Sequence, residues 1–248
     1  MPTPKIVLIT GASQGIGRAC ATAFLEAGHH VILAARGRDA LETVAQHAPE
    51  RAMVHPCDVA NPDQVAALFA AIDDRFGRLD VVFNNAGIGM PATEIADISW
   101  EDWRRVASVN LDGAFLVARG AFAMMRAQQP KGGRIINNGS ISAHAPRVGS
   151  VPYTTTKTAI TGLTRSLSLD GRKHDIACGQ IDIGNAASDM TDTISKGVPQ
   201  ADGSIRAEPV MDVTLVADAV LHMADLPLEA NVQFMTIMAT KMPYIGRG

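Results

Sequence analysis

A short apolar segment that leads directly into a glycine-rich turn and then into a helix is the feature that most constrains the fold of this chain. Residues 5–10 are rich in β-branched side chains, residues 10–17 read Thr-Gly-Ala-Ser-Gln-Gly-Ile-Gly, and apolar residues recur at helical spacing over residues 16–27. The first segment is typical of a buried parallel strand, and Gly28 supplies a stop for the helix. The sequence therefore predicts a strand followed by a helix whose amino terminus lies at the turn.

The same alternation continues to the end of the chain. Short apolar segments predict six further strands, at residues 31–35, 52–56, 79–83, 134–137, 177–183 and 232–239. Strands that alternate with helices form a parallel sheet with right-handed crossovers. We therefore predict an α/β fold with one doubly wound (Rossmann) sheet of about seven parallel strands, helices on both faces, and a single domain over residues 1–248. Ligands of such sheets bind at the carboxyl ends of the strands.

Several segments between the strands have features that bear on a site. Asn61-Pro62-Asp63-Gln64 offers a helix cap, a proline at the first helical position and a glutamine suited to a capping box. A long helix is predicted over residues 99–125, although Asn110 and Gly113 interrupt its middle. Residues 188–212 are polar, contain Gly and Pro, and form a connection longer than usual. This last segment is predicted to be a substrate lid.

Composition and charge exclude several classes of partner. The net charge is −3, with no basic run that would recruit nucleic acid or a membrane surface. Three cysteines lie far apart without metal-ligand spacing, which argues against a disulfide framework and against a zinc or other metal site. The apolar run near the amino terminus is too short for a signal peptide, and no run reaches the ~18 residues of a membrane span. We expect a cytoplasmic protein that binds small molecules.

The glycine-rich turn is a candidate anion site, because backbone N–H groups and the helix dipole converge at a helix amino terminus. Its glycine spacing is G-x-x-x-G-x-G, which differs from the G-x-G-x-x-G of the general dinucleotide fingerprint. Glycines at such a turn allow the backbone to approach a pyrophosphate. The residues predicted to bind the cofactor there are Gly11, Ser13, Gln14, Gly15, Ile16 and Gly17.

The end of the second predicted strand indicates which cofactor is preferred. A carboxylate that reads the ribose would be expected about there, but residues 35–38 read Ala-Arg-Gly-Arg. The Arg36 guanidinium can pair with a 2′-phosphate, which favours NADPH as the cofactor. Asp39 lies only three residues further along the chain, so NAD remains possible.

A tyrosine and a lysine are spaced one helical turn apart near the middle of the chain. If a helix begins at Pro152, Tyr153 and Lys157 stand at i and i+4 on one face. A phenol ordinarily loses its proton near pH ~10, and an ammonium ~4 Å away supplies about 4 kcal/mol at an effective dielectric of ~20. The charge of Lys157 is therefore predicted to make Tyr153 an acid/base near pH 7.

Together these motifs resemble the compact branch of the short-chain dehydrogenases/reductases, over nearly the whole chain. The resemblance implies hydride transfer between a nicotinamide and a carbonyl or secondary alcohol carbon. It implies a catalytic set in which Ser140 holds the oxygen, Tyr153 transfers the proton, Lys157 binds the nicotinamide ribose and Asn110 relays protons. It also implies further cofactor contacts at Asp58, Val59, Asn85, Ala86, Gly87, Tyr153, Lys157, Ile183, Gly184 and Ser188.

The chain departs from this family pattern after the sixth predicted strand. Ile183 stands where the family usually has proline, and Ser188 stands near the position of its carboxamide-binding threonine. His144 and Arg147 lie where the family borders its substrate pocket. They could meet a polar or anionic substrate, or they could be a loop histidine with its hydrogen bonds satisfied and a surface arginine.

The sequence thus predicts an NADP(H)-dependent oxidoreductase, resembling a 3-oxoacyl thioester reductase or a ketone reductase. Two alternatives remain open: an NAD-dependent sugar or polyol dehydrogenase, and a cofactor-sensing regulator that does no chemistry. An intact set of Asn110, Ser140, Tyr153 and Lys157 disfavours the regulator. The family resemblance also implies a homo-oligomer, either a dimer or a tetramer.

Overall fold

Strands and helices alternate along most of the part of the chain that the computed structural model describes, which is residues 3–187, 197–200 and 202–245. The strands are β1 Ile6–Thr10, β2 His30–Ala35, β3 Ala52–Pro56, β4 Val81–Asn84, β5 Gly133–Asn138, β6 Ile176–Ile183, β7 Val198–Pro199, β8 Ile205–Arg206 and β9 Phe234–Ile237. The α-helices are α1 Gly15–Glu26, α2 Arg38–Ala45, α3 Pro62–Phe76, α4 Trp100–Ala107, α5 Ala114–Ala127, α6 Val151–Gly171 and α7 Val213–Asp225.

Seven of these strands form one sheet in the order β3-β2-β1-β4-β5-β6-β9. Every neighbouring pair in this sheet is parallel. From β1 the chain adds β2 and β3 on one side, and it then adds β4, β5, β6 and β9 on the other side. The adjacent strands β1 and β4 therefore mark the point where the strand order reverses. The predicted fold class, a doubly wound sheet of about seven parallel strands, is confirmed.

The helices cover both faces of the sheet and create two apolar cores. One core joins α1, α2 and α7 to the sheet through residues such as Phe24, Leu41 and Val220. The other joins α3 and α5 to the opposite face through residues such as Leu68 and Val117. Burial on both faces explains why the central strands are nearly continuous runs of apolar residues.

The predicted long helix is interrupted in the manner that the sequence suggests. Ser99 caps α4 by accepting a hydrogen bond from the backbone N–H of Asp102 at 3.0 Å. A single π-helical segment, Ser108–Gly113, then separates α4 from α5 and contains both Asn110 and Gly113. By length and mean hydropathy (1.2) the stretch Trp100–Ala127 could cross a membrane. The core helix of a folded domain passes the same test, and 44% of its most apolar window is buried here.

The predicted lid is only partly described, because residues 188–196 and residue 201 lie outside the described ranges. Its described part contains the short antiparallel pair β7 and β8. At its base, the backbone N–H of Met211 donates to Asn185 O and that of Ala187 donates to Met211 O, each at 2.8 Å. The two ends of the segment therefore meet beside the carboxyl end of β6, while its role as a lid stays a prediction.

Candidate active site

A cleft of about 460 Å³ lies at the carboxyl edge of the sheet, where the turns that follow β1, β2, β4, β5 and β6 meet. All the predicted cofactor residues that the structure describes line this cleft: Gly11, Ser13, Gln14, Gly15, Ile16, Gly17, Arg36, Asp58, Val59, Asn85, Ala86, Gly87, Tyr153, Lys157, Ile183 and Gly184. The remaining one, Ser188, lies outside the described residues.

Sequence reasoning missed nine further residues that line the cleft, namely Ala35, Gly37, Ala40, Cys57, Ile88, Val109, Asn138, Gly139 and Ala186. Most of them are chain neighbours of a predicted residue: Gly37 follows Arg36, Cys57 precedes Asp58, and Gly139 precedes Ser140. Extending each motif by one residue would have found six of the nine, but not Ala40, Asn138 or Ala186.

The glycine turn has the geometry of a cradle for an anionic group. Gly11 and Gly15 adopt left-handed φ values of 67° and 52°, which side chains other than glycine rarely adopt. A Cβ on Gly17 would collide with the backbone oxygen of Gly11. Within the described chain, the N-cap residue Gln14 makes no side-chain capping bond to α1, and no acidic residue lies in the first turn. The first N–H groups of α1 are thus left for a ligand, and the turn fits a pyrophosphate.

Hydrogen bonds between loops hold the cleft walls in register. The backbone N–H groups of Asn85 and Ala86 both donate to Thr10 Oγ1 at 3.0 Å. The Asn85 side chain donates to Thr10 O and accepts from the Asn138 amide, each at 2.8 Å. These bonds join the ends of β1, β4 and β5, so the glycine turn and the tyrosine side of the cleft are parts of one rigid frame.

The Asp58 segment is positioned by the start of α3. Asn61 caps this helix by accepting from the backbone N–H groups of Asp63 and Gln64 at 3.0 and 3.1 Å, as predicted. The predicted capping box is wrong, because it requires Gln64 to accept from the backbone N–H of the cap residue Asn61. Gln64 Oε1 instead accepts from the backbone N–H of Asp58 at 2.8 Å. The glutamine therefore secures the loop that carries Asp58 along the cleft, instead of closing the helix end on itself.

Arg36 lies where β2 ends and lines the cleft. The neighbouring Arg38 lies at the start of α2, where it approaches Glu42 at 3.6 Å with its side chain 59% exposed. Asp39, the carboxylate that would favour NAD, lies in the first turn of α2. Among the described residues, neither Arg38 nor Asp39 belongs to the wall of the cleft.

Asn110 is buried, and its amide is fixed by the loop that follows β4. Its Oδ1 accepts from the backbone N–H of Ile88 at 2.8 Å, and its Nδ2 donates to Ile88 O at 2.9 Å. A longer bond of 3.4 Å runs from Nδ2 to Thr156 Oγ1 on α6. The π-helical segment thus turns Asn110 toward the helix that carries the tyrosine and the lysine, while its role as a proton relay stays a prediction.

Ser140 lies shortly after the end of β5, and Tyr153 lies in the first turn of α6. Ser140 is buried, and its Oγ accepts from the backbone N–H of Ser142 at 3.1 Å. Burial raises the pKa of Tyr153 above its ordinary value, whereas a hydrogen bond with Ser140 and the charge of Arg147 lower it. The serine and the tyrosine are therefore close enough to act on one oxygen atom.

Lys157 is buried at the base of the cleft. Its Nζ donates to Asn138 O at 2.7 Å and lies 5.7 Å from the centroid of the Tyr153 ring. Burial lowers the pKa of Lys157 to about 8, and the charge of Asp182 opposes that change. The helix predicted to begin at Pro152 is confirmed by α6, which is followed by a 3-10 turn, Arg172–His174.

The prediction that Lys157 alone makes Tyr153 acidic near neutral pH is wrong. Burial is the largest influence on the Tyr153 pKa and it acts upward, while the charge that lowers this pKa is that of Arg147. The charge of Lys157 is not among the causes of this pKa shift, and desolvation of the buried phenolate disfavours its ionisation. At neutral pH Tyr153 consequently carries its proton.

His144 and Arg147 both have partners within the protein. His144 Nε2 lies 3.0 Å from Asp182 Oδ2, so this one ring nitrogen has a partner within the protein. Arg147 is not a surface arginine: its side chain is 20% exposed, and its Nη2 donates to Glu208 Oε2 at 2.6 Å and to Asn185 Oδ1 at 2.8 Å. Arg147 thus connects the loop before α6 to the base of the predicted lid.

The fold and the cleft define a class of protein. A parallel doubly wound sheet, a helix that begins at a glycine turn, and a serine, a tyrosine and a lysine at the carboxyl edge are the parts of a dinucleotide-dependent oxidoreductase. A family model described as short chain dehydrogenase matches residues 5–199. The chain belongs to the short-chain dehydrogenase/reductase family, and it is an enzyme of that family, which acts on CH–OH donors with NAD(P).

Comparisons with individual proteins agree with this assignment. A 3beta-hydroxysteroid dehydrogenase from Mediterraneibacter gnavus is 32% identical over 207 residues, which are 82% of this chain and 74% of that protein. A crystal structure of a 3-ketoacyl-(acyl-carrier-protein) reductase from Brucella melitensis complexed with NADH is 22% identical, with a TM-score of 0.85 over 96% of this chain and 98% of that one. The closed form of a serine dehydrogenase complexed with NADP+ is 24% identical, with a TM-score of 0.87 over 98% of each chain. At these identities the two structures establish the fold.

Proposed function

We propose that this protein is an NADP(H)-dependent oxidoreductase that reduces a ketone, or a 3-oxoacyl thioester, to a secondary alcohol. One observation carries the proposal: Tyr153 and Lys157 line the same cleft as the glycine turn. A proton donor and a site for a dinucleotide are therefore placed in one cavity, which a purely binding protein does not need. The related hydroxysteroid dehydrogenase is named for a carbonyl/alcohol substrate of this kind.

The protein residues have distinct tasks in such a reaction. Bound in this cleft, a nicotinamide cofactor supplies the hydride that reduces the carbonyl carbon. Tyr153 donates its phenolic proton to the carbonyl oxygen, so that the product leaves as an alcohol. The Ser140 hydroxyl donates a hydrogen bond to the same oxygen and stabilises the charge that develops on it. The ammonium of Lys157 stabilises the phenolate that remains.

The state of Tyr153 supports the reductive direction. Its pKa is raised by burial, so the phenol is protonated at neutral pH and is ready to act as an acid. Oxidation of an alcohol requires the phenolate as a base, which forms only at higher pH. We therefore propose that reduction is the favoured direction near neutrality.

The proposal is tested by following consumption of NADPH and of NADH with a panel of ketones that includes a 3-oxoacyl thioester, a cyclic ketone and a keto sugar. We expect cofactor oxidation that depends on one class of ketone and produces the matching alcohol. Tight cofactor binding without reduction of any ketone or oxidation of any alcohol would contradict the proposal and would favour the cofactor-sensing regulator.

The preference for NADPH rests on Arg36, and a matched variant is available beside it. Arg36→Ala removes the guanidinium at the wall of the cleft, and we expect KM for NADPH to rise by about 10- to 100-fold, because a charge-assisted hydrogen bond contributes about 1.5–3 kcal/mol. KM for NADH should change little. Arg38→Ala, two residues further along, is the control and should leave both values unchanged. Equal effects of Arg36→Ala on the two cofactors would refute the proposed preference for NADPH.

A homo-oligomer, either dimer or tetramer, is also proposed. Its support is exposed apolar side chains on α5 and α6, since Phe115 is 50% exposed and Leu169 is 62% exposed. A second cleft of about 500 Å³ beside Phe115 is lined mostly by apolar residues. Exposed apolar patches of this kind are typical of subunit interfaces. Light scattering should give a mass of two or four chains, and Phe115→Glu should lower it; a monomeric wild type would refute the proposal.

We also propose that the protein is cytoplasmic. Cys20, Cys57 and Cys178 are buried free thiols, which suits a reducing compartment.

A further inference from the structure

The carboxylate of Asp182 has three hydrogen-bond partners beside the catalytic residues, although no motif points to it. Asp182 lies near the end of β6 and is 1% exposed. Its Oδ1 accepts from the backbone N–H of Ser140 at 2.9 Å and from Gln180 Nε2 at 2.7 Å. Its Oδ2 lies 3.0 Å from His144 Nε2. One buried carboxylate therefore holds both the backbone of Ser140 and the ring of His144.

These contacts decide which nitrogen of His144 carries the proton. An ionised carboxylate can only accept hydrogen bonds, so His144 Nε2 must be the donor to Asp182 Oδ2. In a neutral imidazole the other nitrogen is then an acceptor. Among the described residues His144 Nδ1 has no hydrogen-bond partner, and the side chain is 46% exposed. The pair thus presents a fixed hydrogen-bond acceptor to solvent or to a ligand.

The acceptor on His144 lies near Ser140, the residue that is proposed to bond the reacting oxygen. His144 follows the short 3-10 helix Ile141–Ala143, which begins directly after Ser140. The same carboxylate fixes both residues, and a Cβ on the preceding Gly139 would collide with it. The backbone is consequently packed closely against Asp182, and the Ser140 N–H and the His144 ring are held by the two oxygens of one carboxylate.

We propose that the Asp182–His144 pair is a specificity-determining site, at which His144 Nδ1 accepts a hydrogen bond from a hydroxyl group close to the reacting carbonyl of the substrate. This inference rests on the proposed function and narrows its substrate class to hydroxy ketones and their polyol products. Asp182 is a positioning residue in this arrangement, because it acts through His144 and Ser140. A site built to bond a substrate hydroxyl discriminates strongly against an analogue that lacks the donor.

Asp182→Asn reverses the polarity of the site with little change in shape. Two donors, Ser140 N–H and Gln180 Nε2, point at the Oδ1 position, so the amide oxygen stays there and the new NH₂ group faces His144. The ring must then accept at Nε2 and carry its proton at Nδ1. The free nitrogen of His144 changes from an acceptor to a donor.

The kinetic test compares hydroxyacetone with methoxyacetone, which differ in having or lacking a donor next to the carbonyl. For the wild type we expect kcat/KM to be about 10-fold higher with hydroxyacetone, since one hydrogen bond with a donor is at stake. His144→Phe keeps a ring and removes both nitrogens, and Asp182→Asn reverses the free one; each should abolish the preference. A wild-type preference that survives in both variants would overturn the inference.

A spectroscopic test does not depend on activity or on bound cofactor. Nitrogen-15 spectra of the imidazoles at alkaline pH, with His144→Phe used to assign the His144 signals, report the tautomer directly. We expect the Nε2–H form in the wild type and the Nδ1–H form in Asp182→Asn. The Nδ1–H form in the wild type would overturn the inference even if the enzyme reduced ketones. Absence of all reductase activity together with the Nε2–H form would refute the proposed function and leave the acceptor at His144 established.

Discussion

Tyr153→Phe is expected to lower kcat for ketone reduction by about 10²- to 10⁴-fold, the range contributed by a positioned general acid. The variant removes a single oxygen atom, and with it the only group assigned to deliver a proton to the carbonyl oxygen. Cofactor affinity should stay within about threefold of the wild type, because the glycine turn and Arg36 are unchanged. The measurements are steady-state kinetics and titration of NADPH binding.

The chain provides its own control for this substitution, because it contains two tyrosines. Tyr244 packs against the core formed by α1 and α7, and it does not belong to the described wall of the cleft. Tyr244→Phe should therefore leave kcat unchanged. If Tyr153→Phe retained wild-type kcat, or lost no more activity than Tyr244→Phe, the role assigned to Tyr153 would be rejected.

Local patterns were sufficient to predict the sheet and most of the cleft. The strand predicted over residues 5–10 corresponds to β1 Ile6–Thr10, and the seventh predicted strand corresponds to β9 Phe234–Ile237. In a doubly wound sheet the residues that follow the strands all reach the same edge. A motif recognised at a strand end, such as the glycine turn or Arg36, is therefore already placed in the site.

Contacts between distant parts of the chain could not be predicted in this way. Asp182 is 42 residues from Ser140 and 38 from His144 in sequence, and Arg147 is 61 residues from Glu208. No spacing rule connects such residues, because their pairing depends on how β6 and the loop before α6 come together. For the same reason the sequence offered Arg147 only as a substrate contact or a surface residue, whereas it forms a largely buried ion pair.

The electrostatics of the tyrosine and the lysine could not be predicted because burial is a property of the folded protein. Spacing established that Tyr153 and Lys157 share a helix face, and charge alone then suggested an acidic phenol. In the structure both groups are desolvated, which raises the pKa of the phenol and lowers that of the ammonium. Each group is shifted toward its neutral form, as desolvation requires.

The second large effect that we expect comes from the lowered pKa of Lys157. It should make the free energy of unfolding increase as the pH becomes alkaline. The folded chain binds this proton with a pKa of about 8, and the ordinary value is 10.5. Below pH 8 the folded and unfolded chains both carry the proton, and the folded chain bears the full cost of burying the charge. Between about pH 8 and 10.5 only the unfolded chain keeps it, so the free energy of unfolding rises with pH. Over this interval the contribution of Lys157 amounts to about 3 kcal/mol.

Lys157→Met should remove this contribution, and the difference between the two unfolding curves isolates it from the other titrating groups. We expect the free energy of unfolding of the wild type, measured with urea, to gain about 3 kcal/mol relative to Lys157→Met between pH 7 and pH 10.5. Lys173→Met removes an exposed lysine after α6 and should give a curve parallel to that of the wild type. If the Lys157→Met curve were also parallel, Lys157 would have an ordinary pKa in the folded protein. The assignment of a lowered pKa to the buried Lys157 ammonium would then have to be abandoned.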